Sequence, residues 1–363
     1  KKILFSQIDE TKKILKEYNI NWVHLNFSYN LGTISKIIDL IKLLFFSFFL
    51  TIKYRIKIVH GRGALPSFFG YLLKKIFHIK LLFDCRGMWV DERADNHQWR
   101  LNHWFYIKVF KIFKVIENKL FLNSDVIIVL TNNINNYLTS RYDIKDKTFV
   151  IPCCVDYELF KNPKIKNSFQ ILKNEFDIDE YQYIFYYSGS LGGIYQLEEM
   201  LDLFKLICKT FKNSYFIFFT PNLDILKEKI KNNKYQNIKK NIRFKNVDRK
   251  ILPKFISLCD IMIYFIKPTF SKKASSPTKL GESLSLGIPI VTNKGIGDIE
   301  SLFDNISPGF LFDKIDQNNF DLFIKKIPLI KKIKGSQLRN KSKIFFDINN
   351  ALTSYKKAYS KLE

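Results

Sequence analysis

Ten short runs rich in β-branched and aromatic residues recur along this chain, and the gaps between them carry helical spacing such as Leu197-Met200-Leu201-Phe204. The runs are N-W-V-H-L (21–25), I-K-I-V-H (56–60), K-L-L-F-D (80–84), V-I-I-V-L (126–130) and F-V-I-P (149–152). After a polar gap come Y-I-F-Y-Y-S (183–188), Y-F-I-F-F-T (215–220), I-R-F-K-N (242–246), I-M-I-Y-F (261–265) and I-P-I-V-T (288–292). Strands this apolar on both faces, alternating with helices, predict parallel sheets covered on two sides, an α/β fold. With 363 residues there is chain for two such units. The polar stretch 161–170 (K-N-P-K-I-K-N-S-F-Q) is the expected linker. The expected layout is therefore a Rossmann-like domain over 1–165, a second over 166–340, and a C-terminal helix over 341–363 returning to the first. Phe345, Ile348, Leu352 and Tyr355 lie on one side of that helix. Two doubly wound sheets bring the carboxyl ends of their strands around a shared cleft, where ligands bind in open α/β folds.

Lys plus Arg exceed Asp plus Glu by 59 − 34 = 25, a field that favours polyanions. The excess is nearly all lysine in a chain crowded with Ile, Asn and Phe, so an AT-rich genome accounts for part of it. Nucleic-acid binding would need a contiguous basic stripe with interleaved aromatics, whereas these lysines are spread along helix faces. Five cysteines (Cys85, Cys153, Cys154, Cys208, Cys259) show no C-x-x-C spacing. They form no readable zinc site or disulfide framework and suit a reducing cytoplasm. The most apolar window, Leu43–Ile52, falls well short of the roughly 20 residues of a spanning helix, and no secretory signal opens the sequence. It suits a core helix or one lying on a membrane surface. The sequence begins K-K-I-L-F-S-Q-I-D-E with no glycine before Gly32, so a first strand–loop–helix unit is expected to be missing.

The stretch S-S-P-T-K-L-G-E-S-L-S-L-G-I-P-I-V-T-N (275–293) carries the chemistry. Ser276 is a suitable N-cap, Pro277 suits the first helical position, and Gly287 suits a left-handed C-cap. Free amides over Ser276–Lys279 and the helix dipole make an anion site. Lys279 and Glu282, three apart, share a face: a lysine to neutralise a diphosphate, a carboxylate to accept from sugar hydroxyls. An ordinary capped helix with a surface ion pair is the alternative. In the first half, F-D-C-R-G-M-W-V-D-E-R (83–93) crowds Asp84, Arg86, Trp89, Asp91, Glu92 and Arg93 after a strand, and H-G-R-G (60–63) follows another. An arginine there would hold phosphate and Trp89 would stack on a sugar; a salt-bridged surface turn is the rival. Asp177-Ile178-Asp179 precedes a strand and reads as a turn rather than a metal site.

Several motifs together resemble the retaining glycosyltransferase family 4, of GT-B fold. I-P-C-C-V-D-Y-E-L-F (151–160) is similar to that family's I-P-N-G-V-D-x-x-x-F, and S-D-V-I-I-V-L-T (124–131) to its A-D-x-V-x-x-x-S. Residues 242–264 match the segment ending in a-D-v-x-v, and 275–293 falls on the E-x7-E region with Glu282 as the second glutamate. The first glutamate falls on Ala274, and S-G-S-L-G-G-I-Y (188–195) stands where G-R-L-x-x-x-K-G is usual, without its arginine and lysine. The chain looks like a subset of the family bearing S-S-P-T-K-L-G-E and G-S-L-G-G. The resemblance implies a hexosyltransferase that moves a sugar from a nucleotide-sugar donor to a glycan or lipid-linked acceptor with retention. It implies no cofactor and no metal. Donor contacts would come from Gly189, Ser190, Gly192, Gly193, Ser275, Ser276, Pro277, Thr278, Lys279 and Glu282. Arg86, Asp91 and Glu92 would be catalytic, and His60, Arg62, Trp89 and Arg93 would contact acceptor or sugar. Lys279, then Arg86 or Arg93, would neutralise the diphosphate. Bacterial lipopolysaccharide, O-antigen or capsule assembly, from the cytoplasm and peripherally on an anionic inner leaflet, is the expected setting. A GT-B nucleotide-sugar epimerase and a basic nucleic-acid-binding protein are the alternatives.

Overall fold

The computed structural model describes residues 5–26, 32–161 and 168–363 and shows two parallel sheets in two lobes. The first sheet has four strands in the order β1 (Ile58–Arg62), β2 (Lys80–Asp84), β3 (Val126–Val129), β4 (Thr148–Val150). The second has six: β5 (Tyr183–Ser188), β6 (Ser214–Phe219), β7 (Ile242–Lys245), β8 (Ile261–Ile263), β9 (Ile290–Asn293) and β10 (Gly309–Phe312), in the order β10-β9-β8-β5-β6-β7. β5 lies inside this sheet, paired with β6 and β8, and every one of its residues is buried, as its unbroken apolar sequence requires. The chain therefore has the two lobes of parallel sheet expected of it.

One aspartate locks each sheet at its amino-terminal edge. Just before β3, the Asp125 carboxylate accepts from the Leu81 amide of β2 at 2.8 Å and from Lys74 at 2.6 Å. Just before β8, the Asp260 carboxylate accepts from the Ile184 amide of β5 at 2.8 Å. These are the aspartates of the S-D-V and C-D-I motifs. Both sit far from the carboxyl strand ends, so their work is strand alignment rather than chemistry.

The structure corrects several expectations. N-W-V-H-L (21–25) forms no strand; it runs as irregular chain with Val23 exposed. Its apolar letters never meet a sheet edge. The helix around Leu43–Ile52 spans Gly32–Lys53. Most of the linker (162–167) lies outside the described residues. The lobe boundary falls earlier than residue 165, because Val155, Tyr157 and Phe160 already pack in the second lobe's core. The C-terminal segment is two helices, Gly335–Phe346 and Ile348–Ser360, broken at Asp347. Asp347 adopts extended backbone, and its side chain accepts from the Asn349 amide, starting a new helix. The first of the pair packs in the second lobe through Phe346; the second lies on the first sheet through Ala351, Ala358 and Leu362. The chain thus crosses between lobes twice, and the crossings touch: Val155 donates to the Phe346 carbonyl at 2.8 Å and Ile348 to the Val155 carbonyl at 3.1 Å.

Candidate active site in the cleft

The Thr278–Ser285 helix begins one residue later than its sequence suggests. Pro277, with φ −67° and ψ 118°, occupies the cap position and offers no side-chain cap. Ser276 is not the N-cap; its hydroxyl accepts from the Cys153 amide of the other lobe at 3.1 Å. Gly287 does close the helix with φ +76°. Thr278 and Lys279 carry no backbone hydrogen bond on their amides among the described residues, so the helix end keeps its free donors.

Two cavities flank this loop. One, of about 320 Å³, is lined by Thr278, Lys279 and Glu282 together with residues that follow β5, β6 and β7: Gly189, Thr220 and Arg249. The other, of about 290 Å³, is lined by Ser275 and Ser276 together with Thr131 and Pro152 of the first lobe. Pro277 borders both. The expected donor loop is therefore split, with only its helical part facing the cavity built from strand ends.

In the 320 Å³ cavity Lys279 is 7% exposed, and its amine has no hydrogen-bond acceptor among the described residues. It lies 4.0 Å from the ring centroids of both Tyr187 and Tyr195 and 5.8 Å from that of Tyr264, an aromatic cage that favours a cation. Burial pulls its pKa down to about 7, against a smaller opposing pull from Glu282. Burial also lifts the Glu282 carboxyl above the usual carboxylate range, opposed by Arg249 and Lys279. Arg249 Nη2 lies 2.8 Å from Glu282 Oε1, an ion pair that lacks hydrogen-bond alignment. Arg249 was not foreseen: V-D-R-K after β7 looks like any charged loop, and only the fold carries it to Glu282. Gly189 has φ +116°, a backbone conformation that favours glycine, and a Cβ there would crowd the Lys279 amine at 3.1 Å. Ser190, Gly192 and Gly193 do not line the cavity. Gly192 and Gly193 turn the chain with φ +87° and +64°, and the Ser190 carbonyl accepts from the Tyr187 hydroxyl at 2.5 Å.

Across the cleft, β1 and β2 end in a cluster of His60, Asp84 and Arg86. His60 Nδ1 is 2.8 Å from the Tyr359 hydroxyl and its Nε2 is 3.6 Å from Asp84. Arg86 lies 3.8 Å from Asp84 and donates to Cys153 Sγ at 3.1 Å. Since the Cys153 amide donates to Ser276, the structure brings Arg86 and the Ser276 loop together through one residue. Tyr355 donates to Asp84 at 3.3 Å; both tyrosines come from the last helix, whose periodicity had suggested packing alone. Arg62 ends β1 beside them, exposed.

The other first-lobe candidates face elsewhere. Asp91 binds Lys114 at 2.9 Å, and Lys114 in turn holds the buried Glu117 at 2.5 Å, which turns Asp91 into its own lobe. Trp89 packs edge-on against Trp99 and Phe113, with ring centroids 5.4 and 5.3 Å away. Arg93 covers Trp89 and donates to Gln98. These three build the lobe rather than a ligand site. Glu92 reaches across the cleft to Lys272, which is 2% exposed, at 2.5 Å. Ala274, where the first glutamate of E-x7-E would fall, is buried in the first lobe's apolar cluster with Val129 and Ile134. A carboxylate there would be desolvated without a partner. Asp177 and Asp179, both exposed, pair with Arg243 at 3.6 Å and Lys173 at 2.8 Å.

Residues 20–159 match the family model of Glycosyltransferase Family 4, a match that ends where the chain passes into the second lobe. Solved structures show the same fold throughout. HepE from Anabaena, in complex with UDP and glucose, superposes with a TM-score of 0.69 at 14% identity, covering 96% of this chain and 88% of that one. Sucrose-phosphate synthase from Thermosynechococcus elongatus gives 0.66 at 14% identity, covering 89% and 78%. WaaG, a glycosyltransferase involved in lipopolysaccharide biosynthesis, gives 0.57 at 13% identity, covering 81% of each. No curated protein sequence matches the chain. The fold is GT-B, with Glycosyltransferase Family 4 as the family its first lobe matches.

Proposed function

We propose that the protein is a glycosyltransferase that takes a nucleotide-sugar donor in the 320 Å³ cavity and passes the sugar, with retention, to a glycan or lipid-linked acceptor held by the first lobe. One observation carries this reading: an uncapped helix end, a caged lysine and a buried glutamate converge on strand ends in a cavity of the second lobe, beside the loop that borders the first. The helix end and Lys279 would hold the diphosphate, and Glu282, once Arg249 swings aside, the ribose hydroxyls. With those charges in place the transfer needs no metal. Catalysis would rest on positioning and on stabilising the departing diphosphate, which takes the acceptor's proton, rather than on a protein base. His60, Asp84 and Arg86 would receive the acceptor. The family match and the UDP and glucose bound by HepE support this choice of donor. The epimerase alternative needs acid–base histidines, and among the described residues none lines this cavity.

Surface-polysaccharide assembly in the cytoplasm, peripherally on an anionic membrane, is the setting we favour; the involvement of WaaG in lipopolysaccharide biosynthesis supports it. So does the Gly32–Lys53 helix, which turns Ser35, Asp39 and Thr51 inward and leaves Ile37, Ile41, Phe45, Phe49 and Ile52 exposed, with Lys36, Lys42 and Lys53 among them. No described helix is long and apolar enough to cross a membrane. A thermal-shift screen of UDP-, GDP- and ADP-sugars tests the donor site: one of them should raise Tm, and no response to any would refute it. Flotation with phosphatidylglycerol vesicles tests the membrane face, and Phe45→Asp with Phe49→Asp should abolish it. DNA binding that falls steeply with salt would instead favour a nucleic-acid partner.

A further inference from the structure

We propose that Lys279 couples donor binding to protonation: its caged, acceptor-less amine gives up its proton readily in the empty cavity and takes one from solvent as the donor's diphosphate enters. This rests on the reading of the cavity as a nucleotide-sugar site.

The argument starts from what surrounds the amine. It is buried, meets no hydrogen-bond acceptor among the described residues, and faces two tyrosine rings at 4.0 Å. The charged groups around it nearly cancel. Among the described residues Glu282, one turn along its own helix, is the one anion that acts on it, and Arg249 from the loop after β7 already pairs with that carboxylate. The helix end is itself positive. Tyr187 and Tyr195 are neutral phenols whose burial raises them further from ionising, and so is Tyr264. Glu92, in the first lobe, acts electrostatically on Tyr195 and is paired with Lys272. An ammonium here would have desolvation to overcome and no net negative partner, which agrees with its lowered pKa of about 7.

A diphosphate diester supplies two negative charges beside this amine. The charged form then gains its partner, while the aromatic cage holds it with no change of position. The proton passes from solvent or buffer to the amine nitrogen's lone pair; no covalent bond to the ligand forms. Lysine usually arrives at a phosphate already charged. Here the charge would be made on demand, leaving the empty cleft without an unpaired buried cation.

Linkage gives the sign. Above the free amine's pKa each donor bound takes up close to one proton, so affinity falls about tenfold per pH unit. The test is calorimetry at about pH 8 with UDP-glucose, GDP-mannose and ADP-glucose, whose diphosphates do not titrate there, in buffers of different ionisation heat. The expected result is uptake near one proton, a roughly tenfold weaker Kd per unit of pH, and loss of both effects in Lys279→Met. Binding without uptake would overturn the coupling and leave the donor site standing. Uptake that persists in Lys279→Met would overturn it by assigning the proton to another group, Glu282 first. No binding of any of the three would overturn both readings. Should Lys279→Met fail to fold, the Cε resonance of 13C-labelled lysine in the unaltered protein decides: a resonance titrating near neutrality that moves to the charged position on donor addition supports the coupling, and its absence overturns it.

Discussion

Two eight-residue helices stand on opposite sides of the cleft, Asn132–Thr139 after β3 in the first lobe and Thr278–Ser285 before β9 in the second. Their amino termini have had opposite fates. The first is stoppered: Asp298, from the other lobe, accepts from the Asn132 and Asn133 amides at 2.7 and 2.9 Å, and the Thr131 side chain accepts from Ile134 at 3.2 Å. The second has no side-chain cap, its neighbouring serine having been drawn off to Cys153. A helix end is an anion site only where the protein withholds its own carboxylate. Here the withheld carboxylate marks the cleft, and the supplied one marks a lobe–lobe contact.

The largest effect expected on the open end is thermodynamic. Lys279 has a folded pKa of about 7 against an ordinary 10.5, so the folded state binds fewer protons than the unfolded state between those values. Folding stability therefore rises with pH across that window, and the lysine's penalty is fully present below about 7. Lys279→Met should raise stability by roughly 4 kcal/mol at pH 6, less whatever the tyrosine cage contributes, with the gain fading toward pH 10.5. Urea unfolding at several pH values measures it, and a pH-independent difference would refute it.

Next comes Glu282→Ala. Losing two hydrogen bonds to a charged acceptor should weaken donor binding by about 100-fold, or roughly 3 kcal/mol. Calorimetry with whichever nucleotide-sugar binds provides the check, and an unchanged Kd would end the ribose assignment. At the stoppered end, Asp298→Ala should cost about 1–2 kcal/mol by exposing two amides and loosening the lobes, read as a lower unfolding midpoint with donor affinity little changed. The smallest effect is Ser276→Ala, which removes one hydrogen bond between lobes and should cost about 1 kcal/mol. A loss of donor binding as large as that of Glu282→Ala would instead place this hydroxyl on the donor.

Much of the architecture was legible because parallel strands are buried on both faces and must be written in apolar letters. β5 and β6 are plain for that reason. N-W-V-H-L misled because composition cannot say whether a run finds an edge to pair with. β10 was overlooked because G-F-L-F is four residues after a proline. Glu282 and Lys279 were readable as a local pattern on one helix, and the family resemblance strengthened them. Arg249, Tyr355 and Tyr359 were not, because their partners lie far off in sequence. Asp91 and Trp89 were misplaced for the converse reason: adjacency along F-D-C-R-G-M-W-V-D-E-R says nothing about direction, and the Trp89–Asp95 helix turns them toward Lys114 and Phe113.

Because the two crossings between lobes are bonded to each other at Val155 and Asp347, the molecule is joined by a doubled leaf instead of a single strap. A doubled leaf allows swinging and resists shear, so the lobes should open like a book. The spine of that book presses on the Thr278–Ser285 helix, since a methyl at Gly281 would stand 2.8 Å from Val155 and 3.1 Å from Phe346. Any swing of the covers is thus transmitted to the turn of helix that bears Lys279 and Glu282.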